Sequence, residues 1–164
     1  MSQHFLNKSF PCDICVYAKM QILPFNISTI STISPFQLID LDIWGPYKVA
    51  NVCGAHYFLT IVDDFTRTTW TELLQNKTQV GSAIIHFSHM ITTQFHASIT
   101  MVRSDNGTEF INSACLQFSS DKGVVHQKFI VGSPQQSGVA EKKHKHLLGT
   151  ARALKFQASL PKLF

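Results

Sequence analysis

Residues 35–45 read PFQLIDLDIWG. This apolar run carries two acids two positions apart and stops at Gly45-Pro46, which reads as a buried β-strand. Side chains alternate across a strand, so Asp40 and Asp42 share a face with Leu38. A carboxylate on so apolar a strand is costly unless it is paired, protonated or bound to a metal. The plain structural alternative is a strand-end acid that reaches solvent just ahead of Gly45-Pro46. Both acids are candidates for chemistry, and the strand alone does not choose between them.

Downstream, AHYFLTIVDDFTRTTWTELL (55–74) reads as two β-rich runs joined through DDFTR, a hairpin. QVGSAIIHFSHMITTQF (79–95) places Val80, Ile84, Phe87, Ile91 and Phe95 at helical spacing. SITMVRSD (98–105) is a further strand, EFINSACLQFSSDKG (109–123) a short helix ending at Gly123, and VVHQKFIV (124–131) a last strand. SPQQSGVAEKKHKHLLGTARALKF (133–156) closes as a helix with Ser137 as a candidate N-cap. Upstream, residues 1 to about 35 are irregular: a CDIC pair, then the Ser-, Thr- and Pro-rich ILPFNISTISTISP. Three strands, a helix, a strand, a helix, a strand and a helix make a mixed α/β layer fold. That order fits a ribonuclease-H-like domain.

Bulk composition agrees with one globular domain. The chain has 164 residues, 45% of them hydrophobic and only 15% charged, and its 13 Phe supply a real core. A net charge of +4 is compatible with a nucleic-acid partner without requiring one. No apolar stretch approaches transmembrane length, and MSQHFLNKSF lacks the apolar segment of a signal peptide. The four cysteines, Cys12, Cys15, Cys53 and Cys115, are therefore expected as reduced thiols of an intracellular protein.

Two further acids stand where chemistry is possible. Asp105, in VRSDNGTEFI (102–111), ends a strand, where α/β sheets place ligand-binding residues. Asn106-Gly107 also makes a serviceable turn with no chemistry at all. Glu141 lies in the first turn of the last helix, beside the positive end of its dipole, where an acid also serves to stabilise the helix start. Lys145 and Arg152 return to the side of Glu141, while Leu147, Leu148, Ala151 and Leu154 gather opposite. Lys142, Lys143 and Lys145 also fit an ordinary solvated face. Three carboxylates from two strand ends and a helix can hold two divalent cations.

The blocks CDICVYAKM, LIDLDIWGPY, YFLTIVDDFTRTTW, VRSDNGTEF and SPQQSGVAEKKHKHLLGTARAL, in that order, resemble the integrase of Ty1/copia-type retrotransposons. That family sits within the wider retroviral integrase superfamily. Its acidic triad separates the second and third members by 35 residues, as Asp105 and Glu141 are separated here.

The resemblance implies a ribonuclease-H-like fold, a mixed five-stranded sheet flanked by helices. It implies Asp42, Asp105 and Glu141 as catalytic ligands of Mg2+ or Mn2+ in a two-metal site. Asp42 is chosen over Asp40 because the family's first acid directly precedes a hydrophobic-Trp-Gly-Pro segment. Asp40 stands where these proteins commonly carry His, a departure. Glu109 is then a helix-start acid. The implied reaction is DNA strand transfer: a 3′-hydroxyl of the element's DNA attacks a phosphodiester of target DNA. Lys145 and then Lys142 are the candidate phosphate contacts, and SPQQSG resembles a loop that positions DNA ends, with Gln136 a contact. His144 is expected as a packing or phosphate-side residue.

Cys12 and Cys15 resemble the second half of a His-His-Cys-Cys zinc module. The family's two histidines belong further upstream, so a Zn2+ site here is incomplete and two free thiols are the alternative. The expected organisation is a partial zinc-binding remnant and linker over 1–34 and a catalytic core over 35–164, truncated at its C-terminus. The expected partners are DNA and, within a full integrase, further copies in a homo-oligomer. The reaction implies the nucleus, with a cytoplasmic particle stage. The other reading is a catalytically inactive, DNA-binding remnant of a degenerate polyprotein.

Overall fold

Alternation along the first strand sets the two faces of the sheet. The computed structural model describes residues 32–105, 107–128 and 138–160. Among them are the strands β1 (Leu38–Trp44), β2 (Tyr57–Asp63), β3 (Thr69–Leu74), β4 (Met101–Ser104) and β5 (Val125–Lys128). The α-helices are α1 (Val80–Phe95), α2 (Ser113–Lys122) and α3 (Gly138–Gln157). The strands make one mixed sheet in the order β3-β2-β1-β4-β5. β1 is antiparallel to β2 and β2 to β3, whereas β1–β4 and β4–β5 are parallel.

Odd-numbered positions of β1 feed the core. Ile39 and Leu41 pack with Leu59, Ile61 and Val102 against Val80, Ile84, Phe87 and Ile91 of α1 and Cys115 and Phe118 of α2. A Cβ on Gly81 would stand 2.8 Å from the Ala114 Cβ, so glycine lets α1 and α2 approach this closely. Phe95, the last member of the expected α1 stripe, is 49% exposed and lies against Phe36 with ring centroids 5.0 Å apart. The helix ends one residue later, with His96 in the left-handed conformation, so Phe95 sits at the rim.

Two expected helices differ in detail. The stretch 109–123 is not one helix. A 3-10 turn spans Thr108–Phe110, and α2 starts afresh because the Asn112 side chain accepts the Cys115 N–H at 2.9 Å. It ends at Gly123 as expected, in the left-handed conformation. On α3, Ala140 and His144 are buried and Leu147 and Leu148 half-buried, but Ala151 and Leu154 are exposed. They line an open apolar groove of about 820 Å³ shared with Trp44, Val52 and Leu73. Ser137, the expected N-cap of this helix, lies outside the described residues.

The even-numbered face of β1 holds the acids. Asp40 is fully buried and faces Arg103 across the parallel β1–β4 pair. The guanidinium grips it with two N–H···O contacts of 2.5 and 2.9 Å, and reaches Asp64 at 3.4 Å. The departure at position 40 is thus an acid with its own counter-ion. Removing one partner of such a pair leaves the other charged and buried, whereas replacing both with apolar groups is often neutral. Arg103→Met alone should therefore cost about 3–5 kcal/mol in denaturant unfolding, and Asp40→Leu added to it should restore most of that. A single Arg103→Met substitution that leaves the midpoint unmoved would show that the fork contributes nothing.

Candidate active site

Continuing the register explains how the acids meet. Asp40 pairs with Arg103, so two residues further along each parallel strand Asp42 and Asp105 come side by side on the same face. β4 ends at Ser104, leaving Asp105 at the point where the ladder stops. On the other side of β1, Asp42 is paired with Thr60 of β2. α3 crosses this same face and carries Glu141 in its first turn.

Asp42 feels the other two acids. Burial first, and then the charges of Asp105 and Glu141, push the Asp42 carboxyl up from 3.8 to about 6, against a hydrogen bond from the Ile43 backbone. Asp105 accepts the Gly107 N–H at 3.0 Å. A Cβ on Gly107 would lie 2.9 Å from the Asp105 Oδ1 and 2.7 Å from the Glu109 Cδ. Glycine is needed there for close approach.

Glu109 does more than begin a helix. It lies in the 3-10 turn and its Oε1 is 2.7 Å from the Lys77 Nζ. Burial alone would raise the Glu109 carboxyl, but the hydrogen bond from Lys77, a backbone hydrogen bond and the Lys77 charge together hold it below the usual range. The same hydrogen bond raises Lys77, with Asp105 adding to the effect. Nothing in the sequence marks Lys77 as a neighbour of this site, because 32 residues separate it from Glu109 along the chain.

Glu141 is half exposed, and its Oε1 pairs with the Lys145 Nζ at 2.8 Å, one turn along the same helix. Lys142 is exposed as well. Among the described residues, no three His, Cys, Asp or Glu side chains already converge closely enough to share an ion. The Glu141 carboxylate is instead paired along its own helix with Lys145. Exposed i,i+4 pairs are weak, so the carboxylate is free to turn.

Of the two places expected for His144, packing or the phosphate side, the structure shows packing, and adds a contact with Asp42 that the sequence did not reveal. His144 is 4% exposed. Its ring stacks on Phe58 with centroids 4.5 Å apart, and its Nδ1 lies 3.4 Å from the Asp42 Oδ2 and 3.5 Å from the Thr60 Oγ1. Burial lowers its pKa, partly opposed by Glu141, so at neutral pH the imidazole is uncharged. The spacing of three residues from Glu141 was the available signal. Of the other expected site residues, Gln136, Cys12 and Cys15 lie outside the described residues. Cys53 is an exposed thiol and Cys115 a buried one.

The Integrase core domain family (rve) matches residues 34–134. The chain belongs to the integrase core family. It is 30% identical over 154 residues to the retrovirus-related Pol polyprotein from transposon TNT 1-94 of Nicotiana tabacum. It is 32% identical over 158 residues to that from transposon RE1 of Arabidopsis thaliana. The alignments cover 94% and 96% of this chain but only 12% and 11% of the polyproteins, so this integrase segment spans about a ninth of those relatives.

Among solved structures, the catalytic core domain of BIV integrase superposes with a TM-score of 0.56 at 18% identity, covering 78% of this chain and 76% of that one. A chain of the simian T-cell lymphotropic virus intasome bound to PP2A regulatory subunit B56 gamma gives 0.61 at 17%, covering 79% and 44%. At such identities the likeness is one of fold. The mixed sheet and its helices are the ribonuclease-H-like integrase core. No helix among the described residues is long and apolar enough to cross a membrane.

The raised pKa of Asp42 has a sign that can be tested. The folded value of about 6 exceeds the ordinary 3.8, so the folded state binds the proton more tightly than the unfolded chain. Stability is then lost as pH rises from about 4 through about 6. In chelator, Asp42→Asn should melt about 4–8 °C above wild type at pH 7, with the gap narrowing by pH 4. Equal gaps at both pH values would contradict the crowding of Asp42.

Proposed function

We propose that residues 35–164 form the catalytic core of a copia-type integrase that joins element DNA 3′ ends to target DNA. One observation carries the reading. Asp42, brought beside Asp105 by strand register and approached by Glu141 from α3, is raised to about 6 by burial and by those two charges. Crowded, hard oxygen donors suit Mg2+ or Mn2+, and a divalent ion relieves the repulsion they impose on Asp42. Asp42, Asp105 and Glu141 would hold it, Glu141 by leaving Lys145. When bound, such ions stabilise the attacking and leaving oxygens of an in-line phosphoryl displacement.

The chain's own residues do the rest. β1 and β4 hold Asp42 and Asp105 rigidly, which limits reorganisation as charge develops. Gly107 keeps the Asp105 turn tight. As Glu141 turns inward its partner Lys145 is freed, and an ammonium one helical turn away can take a DNA phosphate. Lys142 is the second phosphate contact, and Gln136, in the segment before α3, the third DNA contact. The work is done as a homo-oligomer on paired DNA ends; the intasome neighbour supports that reading. The substrate places the reaction in the nucleus, after a cytoplasmic particle stage. Residues 1–34 are read as a linker with half of a zinc module, whose Cys12 and Cys15 need two further ligands to bind Zn2+.

The test is strand transfer with Mn2+ or Mg2+, a labelled element-end duplex and a plasmid target. Wild type should give joined product, and Asp105→Asn or Glu141→Gln should lower its rate by at least about 100-fold, several kcal/mol of charge stabilisation. No product from a folded, DNA-binding wild type would overturn the transferase reading and leave DNA binding alone.

Lys145 has a separate signature. Lys145→Ala should weaken DNA binding across sequences alike and reduce the salt slope by about 1, as loss of one phosphate contact does. An unchanged slope in a salt titration would remove Lys145 from the interface.

A further inference from the structure

The geometry points to His144 as a positioning residue that orients the Asp42 carboxylate and docks α3, and with it Glu141, against the metal-binding face. This deepens the metal-site reading proposed above and rests on it. His144 lies three residues beyond Glu141 on α3, so the two project from neighbouring parts of one helix face. Glu141 is half exposed, whereas His144 is 4% exposed and driven into the sheet. Whatever holds His144 therefore sets where Glu141 stands.

The seat is built from three sides. Phe58 stacks on the imidazole at 4.5 Å with an interplanar angle of 26°, and the Trp44 ring stands 6.1 Å away. Both rings come from strands, β2 and β1, that pair directly with one another. Nδ1 then faces two oxygens at once, Asp42 Oδ2 at 3.4 Å and Thr60 Oγ1 at 3.5 Å. Those two residues are themselves opposite partners across β1–β2. The helix is thereby tied to the strand that carries the first acid.

Orientation of the ring follows from the nitrogen left over. Nε2 is buried and has no hydrogen-bond partner. A residue chosen for packing alone would not bring a buried, unsatisfied nitrogen, because an apolar ring fills the same seat without that cost. The nitrogen that has partners is the one aimed at Asp42. Residues that hold a metal-binding carboxylate or imidazole in orientation commonly change metal affinity by about 10- to 100-fold when lost.

Three variants of the full chain separate this role from packing. His144→Phe keeps the stacked ring and removes both nitrogens. His144→Asn puts an amide nitrogen near the place of Nδ1, and His144→Gln puts one near the place of Nε2. The first readout is calorimetric titration with Mn2+ alone, in the absence of DNA; the second is the melting temperature in chelator. His144→Asn is expected to bind Mn2+ within about threefold of wild type, and His144→Phe and His144→Gln about tenfold or more weakly. His144→Phe should nonetheless melt at or above wild type in chelator, since it removes the unsatisfied Nε2. Equal Mn2+ affinities for His144→Asn and His144→Gln would overturn the proposal even if the Phe variant failed to fold. A wild type that binds no Mn2+ would overturn the metal-site reading, and this proposal with it.

Discussion

The parallel pairing of β1 with β4 is the constraint on which the rest of this site depends. Antiparallel neighbours can follow one another directly along the chain, but a parallel pair needs a crossover, here supplied by the β2–β3 hairpin and α1. Once Ile39 opposes Val102 and Asp40 opposes Arg103, the side-chain period of two leaves no freedom further along. A slip of one residue would turn Asp42 into the core of Ile39 and Leu41 and put an apolar side chain on the acidic face. The buried fork between Arg103 and Asp40 opposes such a slip, because any other register would leave a buried charge without its partner.

The two faces of the sheet divide the labour. Between β1–β2–β4 and the helices α1 and α2 lies a closed apolar core, in which Leu59, Ile61, Val80 and Ile91 have no solvent exposure. This side makes the sheet rigid. The opposite face is polar and partly open: Asp40 and Arg103 neutralise one another at its base, and Asp42 and Asp105 crowd together at its end, with Glu141 nearby and paired to Lys145. The outcome is a rigid platform with stored repulsion at one edge, an arrangement suited to binding a cation. Burial and the neighbouring acids together raise the pKa of Asp42.

Much of this was legible in the residues. Alternation in LIDLDIW predicted a strand with its acids on one face, and the 3.6-residue spacing of Val80, Ile84, Phe87 and Ile91 predicted α1 and its buried side. The motif blocks, with 35 residues between Asp105 and Glu141, pointed to the family that the comparisons establish. Local capping was harder to read. Asn112 restarts a helix that seemed continuous from Glu109, since a side-chain acceptor for the Cys115 N–H competes with the 3-10 turn before it. Along α3, apolar spacing predicted a buried side as far as Leu154, yet burial depends on what lies opposite, and Ala151 and Leu154 face an open groove rather than a packed layer.

The sequence by itself determined the order of elements, the family and three acids in a recognisable pattern, because backbone periodicity and motif spacing are local properties of the chain. Only the tertiary structure decided the partners. Asp40 meets Arg103 63 residues away, Lys77 meets Glu109 across 32, and Thr60 meets His144 across 84. Such contacts arise from sheet register and from the angle at which a helix crosses a sheet. Neither is encoded in the spacing of any one segment; both follow from how the apolar faces of several segments bury one another at the same time.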